Sequence, residues 1–144
     1  MTSHRRTRQA GMQDYARERL SHLLLTLADQ VQRAIKKPGP DEIHDLRVSI
    51  RRFSQGLQLF ADFFHQQEIK KIRTMLKRVM RVTSAIRDRD ITLEFLAEAG
   101  HTTHRPRLEK ERVSYQRQFS GMLRRWSARN FSAQWRDGLS LGNV

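Results

Sequence analysis

Apolar residues recur along the chain with helical spacing. Between residues 12 and 37 they fall at Met12, Ala16, Leu20, Leu23, Leu24, Leu27, Val31, Ala34 and Ile35, one stripe of a first helix. Lys36 and Lys37 stand in its last turn, where cations suit the helix dipole. Pro38, Gly39 and Pro40 then break the chain. Asp41 is the expected N-cap of a second helix. Its apolar positions are Ile43, Leu46, Ile50, Phe53, Leu57, Phe60 and Phe64, in alternating steps of three and four, a seam of the heptad kind. Gly56 interrupts this helix at a cost of about 1 kcal/mol against Ala, which predicts a close neighbour there.

His65, Gln66 and Gln67 form a short joint. A third helix repeats the format with Ile69, Ile72, Leu76, Val79, Thr83 and Ile86. Arg87, Asp88, Arg89 and Asp90 follow, and an Asp here is expected to cap a fourth helix that buries Ile91, Phe95 and Leu96. Gly100 suits the position just past its end. A fifth helix carries Leu108, Tyr115, Phe119, Met122 and Trp126, and residues 131–139 add a short last one with Trp135. No strand pattern competes. The expected fold is all-α, an antiparallel up-down bundle of four to five helices, because short joints favour antiparallel neighbours. The bundle occupies residues 11–139, between a flexible basic tail (1–10) and a loose C-terminal tail (140–144).

Composition narrows the function. The 144 residues include 28 Lys and Arg against 15 Asp and Glu, a net charge of +13. Such an excess destabilises a compact chain by self-repulsion and points to a polyanionic partner. There is no Cys, so disulfides and thiolate metal sites are excluded. Three Pro and seven Gly leave little turn chemistry for a many-stranded fold. No segment has the roughly 20 apolar residues that span a bilayer. Residues 1–10 lack the apolar core of a secretory signal. The expected address is the cytoplasm.

The excess charge is ordered. With Ile43 at 0° and about 100° per residue, the second-helix seam centres near −40°. His44, Arg47 and Arg51 then fall at about 100°, 40° and 80°, a stripe beside the seam, while Arg52 lies at about 180°. With Ile69 at 0°, the third-helix seam centres near −45°, and Lys70, Arg73, Lys77 and Arg81 fall between about 40° and 120°. On antiparallel neighbours the two stripes either converge on one groove or diverge to opposite edges. Convergence makes a ladder of cations about 10 Å long on one helix and about 16 Å on the other. That length suits a polymer of phosphates better than a single phosphate. Residues 66–90 hold eight Lys and Arg against three acids, whereas a solvated structural face mixes both signs. On the fifth helix Arg112 lies about 40° from the apolar stripe, so it must snorkel, pair or bind a ligand. It is carried as a further rung of the same groove.

His44, Arg47, Val48, Arg51 and Arg52, the basic helix of residues 70–81, and then Ile86, Arg87, Asp88, Arg89 and Asp90 together resemble the CHAD family, the conserved-histidine α-helical domain. Residues 112–139 are similar to that family's fourth long helix. The resemblance implies a helical domain that binds inorganic polyphosphate through a basic surface or channel. Carried over by motif, the ligands are His44, Arg47, Arg51, Arg52, Lys77, Arg81 and Arg87. Typical members are longer and hold two helical bundles, each with its own basic motifs. This chain holds one such set, so the expectation is either a short member whose homodimer rebuilds a two-bundle channel or one half of a larger protein, and polyphosphate granules are an expected association.

Nucleic acid is the rival partner, since phosphate contacts dominate there too. Single-strand binders interleave aromatics with basic residues, and here Phe53, Phe60 and Phe64 lie on the seam. Catalysis is not expected: His44 has no nucleophile and no orienting partner in the sequence. No cofactor is implied. Glu94, Glu98, His101 and His104 have helix-like spacing, but surface Glu and loop His account for them without a metal.

Overall fold

In a computed structural model, which describes residues 2–142, the chain is helical throughout. The elements are α1 (Thr2–Lys36), α2 (Pro40–Leu59), a 3-10 turn (Ala61–Phe63), α3 (Gln66–Glu98), α4 (Arg105–Ala128) and α5 (Phe131–Gly138). No strand occurs among the described residues.

Contacts run in opposite directions along each successive pair. The close approach of Gly56 to Leu20 and Leu23, together with the ion pair between Lys37 and Glu42, sets α1 against α2. Arg47 reaches Met80, Thr83 and Ser84, while Arg51 and Gln58 lie beside Leu76 and Lys77, so α2 descends as α3 ascends. Arg89 meets Glu111, and Met75 faces the same groove as Met122, which reverses α4 against α3. α1 packs most extensively on α2, and α3 on α4; α2 and α3 touch less, leaving a groove between two hairpins.

The core follows the apolar stripes. Ala16, Leu20, Leu24, Leu27 and Val31 of α1 meet Ile43, Leu46, Ile50, Phe53 and Leu57 of α2, and Ile69, Ile72, Leu76, Val79, Thr83 and Ile86 of α3. α4 contributes Phe119, Leu123 and Trp126. Of these Leu123 is not on the expected stripe. Trp135 of α5 closes one end, stacked on Phe53 (ring centroids 6.1 Å apart) and edge-on to Trp126 and Phe131. At Gly56 an added Cβ would sit 2.8 Å from a Leu20 methyl, so the glycine is what lets α1 and α2 close up.

Several expected boundaries move. The first helix starts at Thr2 rather than residue 12, because residues 2–10 contain no Gly or Pro and continue the helix at little cost. The side chains of His4, Arg5 and Arg6, read as part of a tail, lie outside the described residues. α2 opens on Pro40, whose missing N–H costs nothing at the first helical position; Gly39 precedes it, and Asp41 sits in the first turn rather than at the cap. Phe64 lies past the end of α2, half-buried in extended backbone.

The largest correction concerns residues 87–90. α3 runs straight through them, so the expected third and fourth helices are one. No Gly or Pro breaks the segment, and Asp is only a mildly poor helix residue. Consequently α3 overhangs the core, and Ile91 and Phe95 are 59% and 66% exposed instead of buried. Gly100 does stand past the helix end, with φ +72°. The amides of Gly100 and His101 donate to the carbonyls of Ala97 and Leu96, a Schellman close. At the C-terminus Leu139 is buried and Leu141 packs on the core; Asn143 and Val144 of the expected loose tail lie outside the described residues.

Candidate functional site: a cation ladder between α2 and α3

The two basic stripes converge. Arg51 and Lys77, from different helices, line one groove of about 170 Å³ together with Ser54, Gln55 and Gln58. The same side of α2 sends Arg47 across to α3. Its Nη1 donates to the Met80 carbonyl (2.9 Å), the Thr83 hydroxyl (2.6 Å) and the Ser84 hydroxyl (3.1 Å). Thr83, itself on the seam, donates in turn to the Val79 carbonyl at 2.8 Å, which leaves its lone pairs aimed at the guanidinium.

Arg47 is only 9% exposed, and its Nε has no partner. Burial holds its pKa below the ordinary guanidinium range; Arg87 and then Arg51 press it further down, and Asp88 partly offsets them. One turn along α2 from Arg47, Arg51 stands beside Lys77 of α3, so positive charge from two helices is gathered at one groove. Arg47 is thus the clamp that fixes the spacing of the two helices, with its Nη1 already occupied by α3.

The remaining rungs are free to meet a ligand. His44, Arg51, Lys70, Lys77, Arg81 and Arg87 are exposed, and none of them forms an ion pair among the described residues. Arg73 is half-buried, with a partnerless Nε. By register, His44, Lys70, Lys77 and Arg81 share the angular sector of the groove.

Two expected residues stand elsewhere. Arg52 lies on the far side of α2, in a groove with Met12, Tyr15 and Leu59 of the α1–α2 pair. Its position near 180° from Ile43 places it there. Arg112 does not line the α2–α3 groove: it pairs with Asp90 across α3 and α4. Beside it Arg89 binds Glu111 at 3.2 Å and lies over the Tyr115 ring, 4.8 Å from its centroid. Arg89 and Asp90 therefore fasten α3 to α4, and Arg87 is left for the ladder.

A second basic groove is absent from the sequence reading. It holds about 1040 Å³ between α3, α4 and α5, and Lys71, Arg78, Arg117, Arg125 and Arg129 rim a floor that includes Met75 and Met122. Glu68 and Asp137 also line it. Its signal was present as Arg117 and Arg125 two turns apart on α4, and Lys71 and Arg78 seven residues apart on α3. Its mixed charge and larger volume distinguish it from the α2–α3 groove.

Among the described residues no helix is long and apolar enough to cross a membrane, and no three His, Asp or Glu stand close enough to hold a metal. Searches of curated proteins and of solved structures each returned no match. A family model, the CHAD domain, matches residues 14–141, from the first half of α1 to the turn after α5. With nearly the whole bundle covered, the chain belongs to the CHAD domain family.

Proposed function

We propose that the chain is a non-catalytic binding module for inorganic polyphosphate, held along the α2–α3 face. The observation that carries this reading is the placing of Arg51 and Lys77, from separate helices, in one groove beside the Arg47 clamp, with no ion pair to either among the described residues. Cations fixed near one another repel, and a polyanion laid across them relieves that repulsion while it gains their hydrogen bonds. Exposed Arg51 and Arg87 present planar forks suited to phosphate oxygens; Lys70 and Lys77 add point charges. The α3 rungs from Lys70 to Arg81 extend about 16 Å, long enough to engage several successive phosphates. The CHAD family is associated with polyphosphate binding, and the match to it supports the same ligand here.

The character of the face favours a bare phosphate chain over nucleic acid. Phe53 and Phe60 are buried, so they offer no platform for stacked bases. Pairing of two copies across this face would enclose the polymer, and the stoichiometry of the complex reads that out.

The test is competition. Long-chain polyphosphate bound to the protein is challenged with duplex and single-stranded DNA at equal phosphate concentration, and the polymer is then run on a gel. The reading expects polyphosphate to stay bound at unchanged length. Displacement by DNA, or shortening of the polymer, overturns it.

A further inference from the structure

Of the seven large apolar side chains exposed among the described residues, five gather on two patches. Met12, Tyr15 and Leu59 share a groove of about 460 Å³ between α1 and α2, with Phe63 beside them and Arg19 and Arg52 also lining it. Ile91 and Phe95 lie on the overhanging end of α3. α2 begins only at Pro40, and Arg47 already lies against residues 80–84. In that register α3 beyond about residue 90 has no α2 opposite it.

The overhang has a pattern. Ile91, Glu94, Phe95 and Glu98 are spaced by three, four and seven residues, the spacing of one helix face laid into a groove. All four are exposed. Residues 90–104 contain Asp90, Glu94 and Glu98 but no Lys or Arg, in a chain of net charge +13. Asp90 is already held by Arg112, which leaves the charge of Glu94 and Glu98 unmatched. The α1–α2 groove is its complement: apolar walls with two exposed Arg that make no ion pair among the described residues.

We propose that the Ile91–Glu94–Phe95–Glu98 face of one copy docks into the Met12–Tyr15–Leu59 groove of a second copy, with Arg19 and Arg52 receiving the two carboxylates. The groove adjoins the C-terminal end of α2, and the overhang projects past its N-terminal end, about 30 Å away. A copy therefore cannot fill its own groove. The contact is head-to-tail, so each copy keeps one free surface of each kind, and assembly grows by addition. Two apolar anchors and two ion pairs make a small interface, hence a weak and reversible one. The α2–α3 face stays open in such an assembly.

Sedimentation of the full chain and of two variants tests this. Leu59→Glu with Arg19→Glu blinds the groove, and Ile91→Ser with Phe95→Ser blinds the overhang; all four positions are exposed, and circular dichroism checks that the variants stay helical. The wild-type mass should rise with concentration up to about 1 mM, the range of transient contacts. Each variant alone should stay monomeric, while an equimolar mixture forms a dimer through the one intact pair of surfaces. Raising salt from about 0.1 M to about 0.5 M should weaken the mixed dimer several-fold. A wild type that stays monomeric, a mixture that stays monomeric, or either variant assembling alone overturns the proposal.

Discussion

Nη1 of Arg47 on α2 donates to Oγ1 of Thr83 on α3 at 2.6 Å, across the seam between the two helical hairpins. A charged donor reaching a hydroxyl that is fully buried is a strong link. It sets the spacing of the groove in which Arg51 and Lys77 face each other.

Arg47 should therefore act on stability before it acts on binding. Arg47→Ala removes three hydrogen bonds and leaves buried acceptors on α3, so unfolding in urea should show a loss of about 2–3 kcal/mol. Thr83→Val should cost about 1–2 kcal/mol, and the double variant less than the sum. Additive losses would mean that the two residues do not act together.

Gly56 separates helix propensity from packing. Ala is the better helix former by about 1 kcal/mol, so propensity alone predicts that Gly56→Ala stabilises. The added Cβ, however, would lie 2.8 Å from Leu20 and 3.2 Å from Leu23. Both leucines are buried, and overpacking of such a site costs typically 1–3 kcal/mol, so the net effect should be roughly neutral to destabilising by about 2 kcal/mol. A clear rise in the urea midpoint would contradict the tight α1–α2 contact.

His44 is exposed at the α2 end of the ladder. Its ring N–H can donate to a phosphate oxygen, so His44→Ala should weaken polyphosphate binding by roughly two- to fivefold at fixed salt, read by calorimetry. His44→Gln, which keeps a donor at that position, should lose less. An unchanged affinity in His44→Ala would remove His44 from the ladder.

Much of this was legible in the sequence because the apolar period is regular. The α2 and α3 seams predicted every buried hydrophobic residue on those helices, though not the burial of Arg47, Ser49 and Gly56, and the stripe angles left two outcomes, of which convergence is observed. Arg47 was expected only as a rung; of His44, Arg47 and Arg51 it lies nearest the seam, and it alone is buried. What stayed hidden depended on partners distant in the chain. Asp88 and Asp90 read either as caps, which local preference favours, or as partners for Arg residues not identified by the sequence. The use of Asp90 as the partner of Arg112, 22 residues on, is a tertiary fact. The same limit hid the exposure of Ile91 and Phe95, since a helical period does not reveal whether an opposing helix is long enough to cover it.

Salt should report how many rungs are used. Neutralising phosphates releases counterions, so affinity falls steeply with salt, and loss of one contact reduces the slope of log affinity against log salt by about 1. Arg51→Ala and Lys77→Ala should each do so. An unchanged slope would place these cations outside the contact.

The two basic grooves allow the most direct measurement. Polyphosphate affinity, by calorimetry at fixed salt, is compared between Arg51→Ala with Lys77→Ala on the α2–α3 side and Arg78→Ala with Arg125→Ala on the α4 side. Both pairs remove two exposed charges from the same +13 chain, so net charge cancels from the comparison. The account predicts a loss of roughly tenfold or more for the first pair and at most a few-fold for the second. Equal losses, or the larger loss on the α4 side, would contradict it.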